Sequence, residues 1–269
     1  MGREKRNQRS TIHRNKGIFL VFEHYLALTC FYIKYSTNYK ERNNAVEQKI
    51  MYAGNSNKSL YLSVESSLKK LRTEYIDLLY VHWYDWHTSI EEIMRSLHAL
   101  VMQRKVLYLV CFRLIWYSDF IILTFFKGIS DSPAWVVAKA NQYARDHALT
   151  PFVVYQGRWN IMDREFEREI IPMARSEGLA LAPWAVLAGG KIRTDAEEER
   201  RRQTGEKGRV IFEPSWERND HEKAVCRALE KVAFEIGAKN ITSGKYPMKL
   251  HANIYLFERF WSCYCLLDA

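Results

Sequence analysis

Apolar and polar positions along the middle of the chain predict strands and helices in alternation. Ile76–Trp83 is a continuous apolar run, which is typical of a strand buried on both faces. The preceding segment, Ser63–Leu71, has apolar residues at helical spacing. A second helix is predicted from Thr88 to about Arg104, and Ser89 and Glu92 have the spacing of a capping box at its start.

The same alternation continues towards the carboxyl end. Asp131 or Ser132 can cap a helix that has Pro133 in its first turn. Strands buried on both faces that alternate with helices predict a parallel sheet, either closed into a barrel or doubly wound. The chain has no GxGxxG motif, which counts against a Rossmann domain. The further predicted elements are strands at Lys105–Val110, Pro151–Gln156 and Leu179–Leu187, and helices at Asp163–Glu177 (with Gly178 as its stop), from Asp195, and from about His221 to Ile236.

Polar or aromatic residues stand at the carboxyl ends of successive predicted strands. In a parallel barrel the chemistry lies where strands end and the following loops begin. Each residue alone has a structural explanation, such as a helix cap or a satisfied buried amide. Their joint occurrence on five successive strands favours a site. These residues are Lys34, His82, Ser130 with Asp131, Gln156, and Trp184.

Composition narrows the class of protein and its partners. The chain has 269 residues and a net charge of +9, and 48% of its residues are hydrophobic, which excludes a disordered or collagen-like chain. Its positive charge is diffuse, so no nucleic-acid partner is expected. The five cysteines lack zinc-ligand spacing and are expected to be free thiols in a reducing compartment, with no metal site.

Two apolar stretches raise the question of a membrane. Val106–Phe126 is long enough to span a bilayer, but Arg113 and Asp119 lie inside it. Gly17–Ile33 follows a basic start but is interrupted by Glu23 and lacks a small-residue cleavage site. We therefore expect a cytoplasmic protein without a membrane partner. The alternative is a membrane-associated protein anchored through Val106–Phe126.

Three long segments carry a family resemblance. They are IDLLYVHWYDWHTSIEEIMRSLHALVMQRKVLYL, GISDSPAWVVAKANQYARDHALTPFVVYQGRWN and GLALAPWAVLAGGK. They closely resemble the aldo-keto reductases, in the branch of the fungal aryl-alcohol dehydrogenases and norsolorinic acid reductases. The clear match covers about Tyr52–Ile241, apart from one insert. The resemblance implies a (β/α)8 TIM barrel that transfers hydride from NADPH to a carbonyl.

The resemblance also assigns roles residue by residue. His82 matches the histidine that polarises and orients the carbonyl, and Lys34 the lysine that lowers the pKa of the family's tyrosine. A nearby cation favours the phenolate, which explains the choice of lysine. The residues that resemble NADPH contacts are Ser130, Asp131 and Gln156 for the carboxamide, Trp184 for ring stacking with Pro183 beside it, the pyrophosphate loop Ala185, Val186, Leu187, Ala188, Gly189, Gly190 and Lys191, and Ser243, Gly244 and Lys245 for the 2′-phosphate.

The sequence departs from the family pattern in three places. The family's first two strands, with the catalytic Asp and Tyr, have no counterpart, and the eighth strand is doubtful. In the family Leu109 continues directly into Gly128, whereas here the 18 residues Val110–Lys127 intervene. A valine codon can begin with GT and a lysine codon can end in AG, so our hypothesis is a retained intron. We expect residues 1–269 to form a single, incomplete α/β barrel domain with an intrusive insert at 110–127 and a divergent tail at 255–269.

The expected function follows from the resemblance. It is an NADPH-dependent oxidoreductase that acts on aromatic aldehyde or alcohol substrates or on polyketide carbonyls, as in fungal secondary metabolism. The expected partner is a small-molecule substrate. The alternative is a catalytically inactive truncated remnant that lacks the family's Asp and Tyr.

Overall fold

The computed structural model describes residues 18–20, 31–107, 127–207 and 215–242. The predicted phosphate contacts Ser243, Gly244 and Lys245, the tail 255–269 and all of the insert except Lys127 lie outside these residues.

Strands and helices alternate through the described residues as the apolar pattern predicts. A 3-10 turn at Ile50–Tyr52 precedes the first helix. Two further 3-10 turns lie at Glu165–Glu167 and Ala188–Gly190. The strands are β1 (Ile18–Leu20), β2 (Phe31–Tyr35), β3 (Leu78–Val81), β4 (Lys127–Ser130), β5 (Phe152–Gln156) and β6 (Ala180–Leu181). The helices are α1 (Asn57–Leu71), α2 (Ile90–Met102), α3 (Ala134–Asp146), α4 (Ile170–Glu177), α5 (Asp195–Thr204) and α6 (Asp220–Glu235).

The strands form one sheet in the order of the chain. β2 to β6 run parallel, each beside the next, which is the arrangement of consecutive strands in a (β/α) barrel. β1 pairs antiparallel with β2, so it does not continue the barrel pattern. Within the described residues the sheet is open, because β1 and β6 each have one neighbour. The fold is therefore an incomplete (β/α)8 barrel.

Buried side chains of β3 and β4 lie on both faces of the sheet. The outer face packs on α1, α2 and α3 through buried residues such as Leu79, Val81 and Ile129. On the inner face, the Tyr80 ring lies directly over Gly128, where an added Cβ would be 2.3 Å from the ring. A side chain at position 128 would therefore displace Tyr80 from the interior.

The pairing along β3 bears on the predicted insert. Ile76 bridges to Val106, and Leu79 pairs with Lys127, the first residue of β4. If the pairing simply advanced one residue at a time from Val106, Leu109 would face Leu79. Lys127 therefore takes the register position that Leu109 would occupy in an uninterrupted chain.

Helix termini agree with the sequence in some places and correct it in others. Ser89 caps α2 by accepting from the Glu92 N–H, as predicted, but the Glu92 carboxylate accepts from the Asn57 N–H at the start of α1. The predicted cap of α3 is wrong. Pro133 occupies the N-cap position, because the Ser132 hydroxyl donates to the Ser130 carbonyl and the Asp131 carboxylate is engaged elsewhere.

A second layer of polar contacts surrounds α5. The guanidinium groups of Arg193 and Arg218 both donate to the Glu198 carboxylate, at 2.8 Å each, and all three side chains are almost fully buried. Arg193 also donates to the Gly190 and Trp216 carbonyls. We call Arg193, Glu198 and Arg218 the ion cluster.

Two further findings concern classes considered above. Among the described residues, no helix is both long enough and apolar enough to cross a membrane. Cys226, on α6, is a free and buried thiol whose Sγ contacts the Lys191 carbonyl.

Candidate functional site

The carboxyl ends of β2, β4 and β6 are joined by a chain of hydrogen bonds. Lys34 Nζ donates to Ser130 Oγ at 3.2 Å, and Ser130 Oγ donates to Asp131 Oδ2 at 2.8 Å. The other oxygen of Asp131 accepts from Trp184 Nε1 at 3.0 Å. We call Lys34, His82, Ser130, Asp131 and Trp184 the strand-end site. Four of these residues are thus connected although their positions span 150 residues of sequence.

Lys34 is held in a partly dehydrated setting. Burial lowers its pKa to about 8, although the Asp131 carboxylate acts in the opposite direction. Its ammonium also lies 5.9 Å from the centre of the Tyr80 ring. Lys34 is therefore mostly positively charged at neutral pH and loses this charge as the pH rises through about 8.

His82 follows β3 and faces the same end of the sheet. Its Nδ1 lies 2.9 Å from the Thr37 hydroxyl, and its ring stacks on Trp83. Burial and the positive charge of Lys34 lower the pKa of His82 to about 4, against the opposing effect of Asp131. The imidazole is therefore neutral near pH 7. If Thr37 donates to Nδ1, the proton lies on Nε2, which can donate to an acceptor in the site.

The three predicted carboxamide contacts differ in exposure. Ser130 and Gln156 are buried, whereas Asp131 is exposed. The Asp131 N–H donates to the Gln156 carbonyl at 3.0 Å, and Asp131 has a left-handed φ of 48°. This uncommon conformation turns the carboxylate towards Trp184.

Trp184 is half-buried and fixed on several sides. Its backbone pairs with β5's extension, because its N–H donates to Gly157 and its carbonyl accepts from Trp159. The Arg158 guanidinium lies 5.8 Å from the centre of the ring. The indole is therefore oriented by its backbone, by Arg158 and by Asp131.

The predicted pyrophosphate loop divides into two parts. Pro183, Val186 and Ala188 are buried, whereas Gly189 is exposed. The loop begins directly after Trp184 of the strand-end site, and Asn160 Nδ2 fixes this start by donating to the Ala185 carbonyl at 3.0 Å. The remaining residues of the first part, Leu187 and Gly190, are half-buried.

Lys191, at the end of this loop, points to a different place. Its Nζ donates to the Glu217 carbonyl at 2.6 Å and lies 3.3 Å from the Glu222 carboxylate. The structure therefore places the Lys191 ammonium against α6 and not beside Asp131.

Sequence reasoning missed two groups that support the site. Thr37, three residues after Lys34, carries no motif that marks it as the partner of His82. The fully buried Asn55 donates through Nδ2 to Ser36 Oγ and to the Trp83 carbonyl, and so ties the residues after β2 to those after β3. Asn55 lies just before a helix, and only the tertiary contact reveals its role.

Comparisons with known proteins identify the family. The sequence model of the Aldo/keto reductase family matches residues 33–110 and 127–242. The chain belongs to this family.

Individual relatives narrow the similarity. The chain is 54% identical over 230 residues to an aryl-alcohol dehydrogenase [NADP(+)] of Phanerodontia chrysosporium, covering 84% of this chain and 53% of that protein. It is 45% identical over 224 residues to norsolorinic acid reductase B of Dothistroma septosporum, covering 83% of this chain and 51% of that protein. The chain therefore spans about half the length of these curated relatives.

No group of three or more histidine, cysteine, aspartate or glutamate side chains among the described residues is arranged to hold a metal ion.

Proposed function

We propose that this chain is an NADPH-dependent oxidoreductase that acts on aromatic aldehydes or alcohols or on polyketide carbonyls. Family membership and the names of its relatives, an NADP(+) aryl-alcohol dehydrogenase and a norsolorinic acid reductase, support this proposal. The observation that carries it is the hydrogen-bond chain Lys34–Ser130–Asp131–Trp184 beside a neutral His82.

The residues around Trp184 fit a nicotinamide cofactor. The indole is held at the carboxyl ends of the strands by Asp131 and Arg158, so its ring is oriented before a ligand arrives. Asp131 is exposed and carries an oxygen that can accept from an amide. When bound, NADPH supplies the hydride for carbonyl reduction.

His82 is suited to hold the substrate carbonyl. A neutral imidazole whose Nδ1 accepts from Thr37 presents an Nε2–H donor. A hydrogen bond to the carbonyl oxygen strengthens as negative charge develops there during reduction. The low pKa of His82 keeps the imidazole neutral across neutral pH.

Lys34 supplies the positive charge of the site. Near neutral pH it stabilises negative charge on a neighbouring oxygen, and its hydrogen bond with Ser130 fixes the direction of the ammonium. We propose this electrostatic role for Lys34 in the reaction.

The second candidate is a catalytically inactive remnant. The observation that favours it is the partner of Lys34: the resemblance assigns this lysine to a tyrosine, but its ammonium donates to Ser130. General acid catalysis contributes about 10²–10⁴-fold to rate, so turnover without such an acid would be correspondingly slow.

One experiment separates the two candidates. The full chain is titrated with NADPH, followed by the fluorescence of the nicotinamide, and then assayed with veratraldehyde. A reductase binds NADPH and turns over, and His82→Gln lowers kcat by about 10²-fold or more with little change in NADPH affinity. Binding without turnover, or neither, supports the remnant. The matched control is His147→Gln, at an exposed histidine that directly follows the last residue of α3.

We also propose the setting in which the chain acts. A small-molecule substrate, a cytoplasmic location and no nucleic-acid or membrane partner agree with its diffuse charge and with the free thiol of Cys226. Fractionation of cells that express the chain tests the location, and recovery with membranes would contradict it.

The same proposal treats residues 1–269 as one barrel domain with an insert at 110–127. Two observations support the insert: the family match omits residues 111–126, and Lys127 takes the register position of Leu109 opposite Leu79. RNA reads aligned to the locus test the intron hypothesis. Reads that run continuously through the insert at normal abundance would overturn it.

A further inference from the structure

The loop between β3 and α2 displays an exposed aromatic surface. Trp86 is 62% exposed and Trp135, in the first turn of α3, is 52% exposed. The Trp86 ring lies 6.2 Å from the Trp135 ring and 5.3 Å from the Tyr84 ring, measured between centroids. We call Tyr84, Trp86 and Trp135 the aromatic rim. Exposed apolar surface that is contiguous in this way marks a binding surface more often than single exposed residues do.

The backbone of the loop is built to present Trp86. Its φ is 64°, in the left-handed region that bulky residues rarely adopt. Such a conformation persists only where the surrounding structure determines it.

The side chain of Asp85 holds the loop in this conformation through hydrogen bonds. Its Oδ1 accepts from the N–H groups of His87 and Thr88, and its Oδ2 accepts from the Asn55 N–H and the Thr88 hydroxyl. Its own N–H donates to Asn55 Oδ1 at 2.7 Å. Burial raises the pKa of Asp85, but these hydrogen bonds outweigh it and lower the pKa below its usual value. The loop is therefore fixed on both sides of Trp86.

The aromatic rim lies at the same edge of the sheet as the strand-end site. Tyr84 lies two residues after His82 in the segment that follows β3, and Trp135 lies in the first turn of α3, four residues after Asp131 at the end of β4. A ligand whose carbonyl reaches His82 can therefore extend over the rim. Indole faces bind planar π systems by offset stacking. A single-ring substrate that is too short to reach the rim gains nothing from this stacking.

We propose that the aromatic rim is an outer subsite that selects substrates with fused or extended aromatic systems over single-ring substrates. The inference rests on the proposed function, and it goes beyond it by naming Trp86 and Trp135 as the residues that determine ring number. Ring contact energies of this kind correspond to about tenfold in affinity.

The test is calorimetric titration of the full chain with 2-naphthaldehyde and with benzaldehyde, in the presence and absence of NADP+. We expect Trp86→Ala and Trp135→Ala to weaken 2-naphthaldehyde binding by about tenfold and benzaldehyde binding by less than about twofold. Trp86→Phe, which keeps a ring, should recover most of the affinity. Phe234→Ala removes an aromatic ring that is 89% exposed on α6 and is the matched control.

Each possible result either supports or contradicts the aromatic rim as a subsite. Equal losses for both aldehydes, no loss in either variant, a loss as large in Phe234→Ala, or no binding of 2-naphthaldehyde each overturn the rim. Turnover with NADPH is assayed in parallel: ring-selective binding without turnover supports the rim and contradicts the proposed reductase. Turnover with unchanged ring selectivity in the variants does the opposite.

Discussion

The strand-end site and the ion cluster both bury charged side chains, yet burial affects them in opposite ways. In the ion cluster, burial opposes ionisation of Glu198, but hydrogen bonds from Arg218 and Arg193 lower its pKa to about 2. In the strand-end site, burial dominates and lowers the pKa of Lys34 to about 8. Glu198 in the ion cluster therefore stays ionised at neutral pH, whereas Lys34 in the strand-end site loses its charge about one pH unit above neutrality.

The number of partners explains the difference. Glu198 accepts from the side chains of both arginines and from the Arg218 N–H, so the water lost on burial is replaced. Lys34 has one hydroxyl, that of Ser130, as its hydrogen-bond acceptor. The Asp131 carboxylate acts on Lys34 by electrostatic attraction, without a direct hydrogen bond. Complete pairing gives a rigid support, and incomplete pairing leaves a group whose protonation can change during a reaction.

The largest effect is expected from Glu198→Gln. It removes the carboxylate that two buried guanidinium groups share, so that Arg218 keeps only the exposed Asp195 as a counter-charge and Arg193 keeps backbone carbonyls. We expect the free energy of unfolding to fall by about 3–5 kcal/mol above pH 4.5. Because the folded pKa of Glu198 is about 2, its contribution is complete above pH 4.5 and declines as the pH falls towards 2. Urea denaturation at pH 7 measures the loss.

Glu199→Gln is the matched control for this prediction. Glu199 lies next in sequence, and its side chain is 51% exposed and pairs with Arg202 at the surface. We expect a change below about 0.5 kcal/mol. Equal losses in the two variants would show that the ion cluster is no different from a surface pair.

A second buried lysine, whose pKa is shifted by burial alone, sharpens the comparison. Lys127 is 1% exposed, donates to the Thr150 carbonyl, and has its pKa lowered by burial to about 7. The unfolded chain binds this proton more tightly, so stability should rise by roughly 3–5 kcal/mol as the pH rises from 7 to about 10.5. Lys127→Met should be more stable than the parent at pH 7 and should lack this part of the slope.

Urea midpoints between pH 7 and 10 measure that slope. Lys139→Met, at an exposed position of α3, is the control and should keep the parent's slope. A Lys127→Met variant whose stability follows the parent at every pH would contradict a buried ammonium.

A smaller effect is expected at the centre of the strand-end site. Asp131 raises the pKa values of both Lys34 and His82, so Asp131→Asn should lower the pKa values of both residues. NMR titration of the lysine and histidine side chains measures the shifts. Asp146→Asn, on the exposed side of α3, should leave both values in place, and an upward shift in Asp131→Asn would contradict the assigned electrostatics.

Strand and helix positions, and the residues at strand ends, could be predicted from the sequence because they follow local periodicity. Lys34, Ser130, Asp131 and Trp184 do lie together, as their strand-end positions predict. The boundaries were less accurate: the strand predicted at Leu179–Leu187 is Ala180–Leu181 in the structure.

The supporting contacts could not be predicted. Arg218 meets Glu198 across a separation of 20 residues, and the stretch around α5 has the composition of a solvated, highly charged helix. Asn55 meets Asp85 across 30 residues. Such pairs depend on how the elements pack in three dimensions, for which one sequence contains no periodic signal.

At Trp86, the residue that would best stabilise the fold differs from the residue that would best bind an aromatic ligand, because the backbone φ is left-handed. Glycine adopts this φ without strain, so Trp86→Gly should leave the folded state as stable as the parent or more stable by up to about 1 kcal/mol, in spite of losing a large side chain. The same variant should lose the preference for 2-naphthaldehyde. Selection for thermal tolerance alone would therefore remove this tryptophan, and its persistence in a lineage would report selection for what the chain binds.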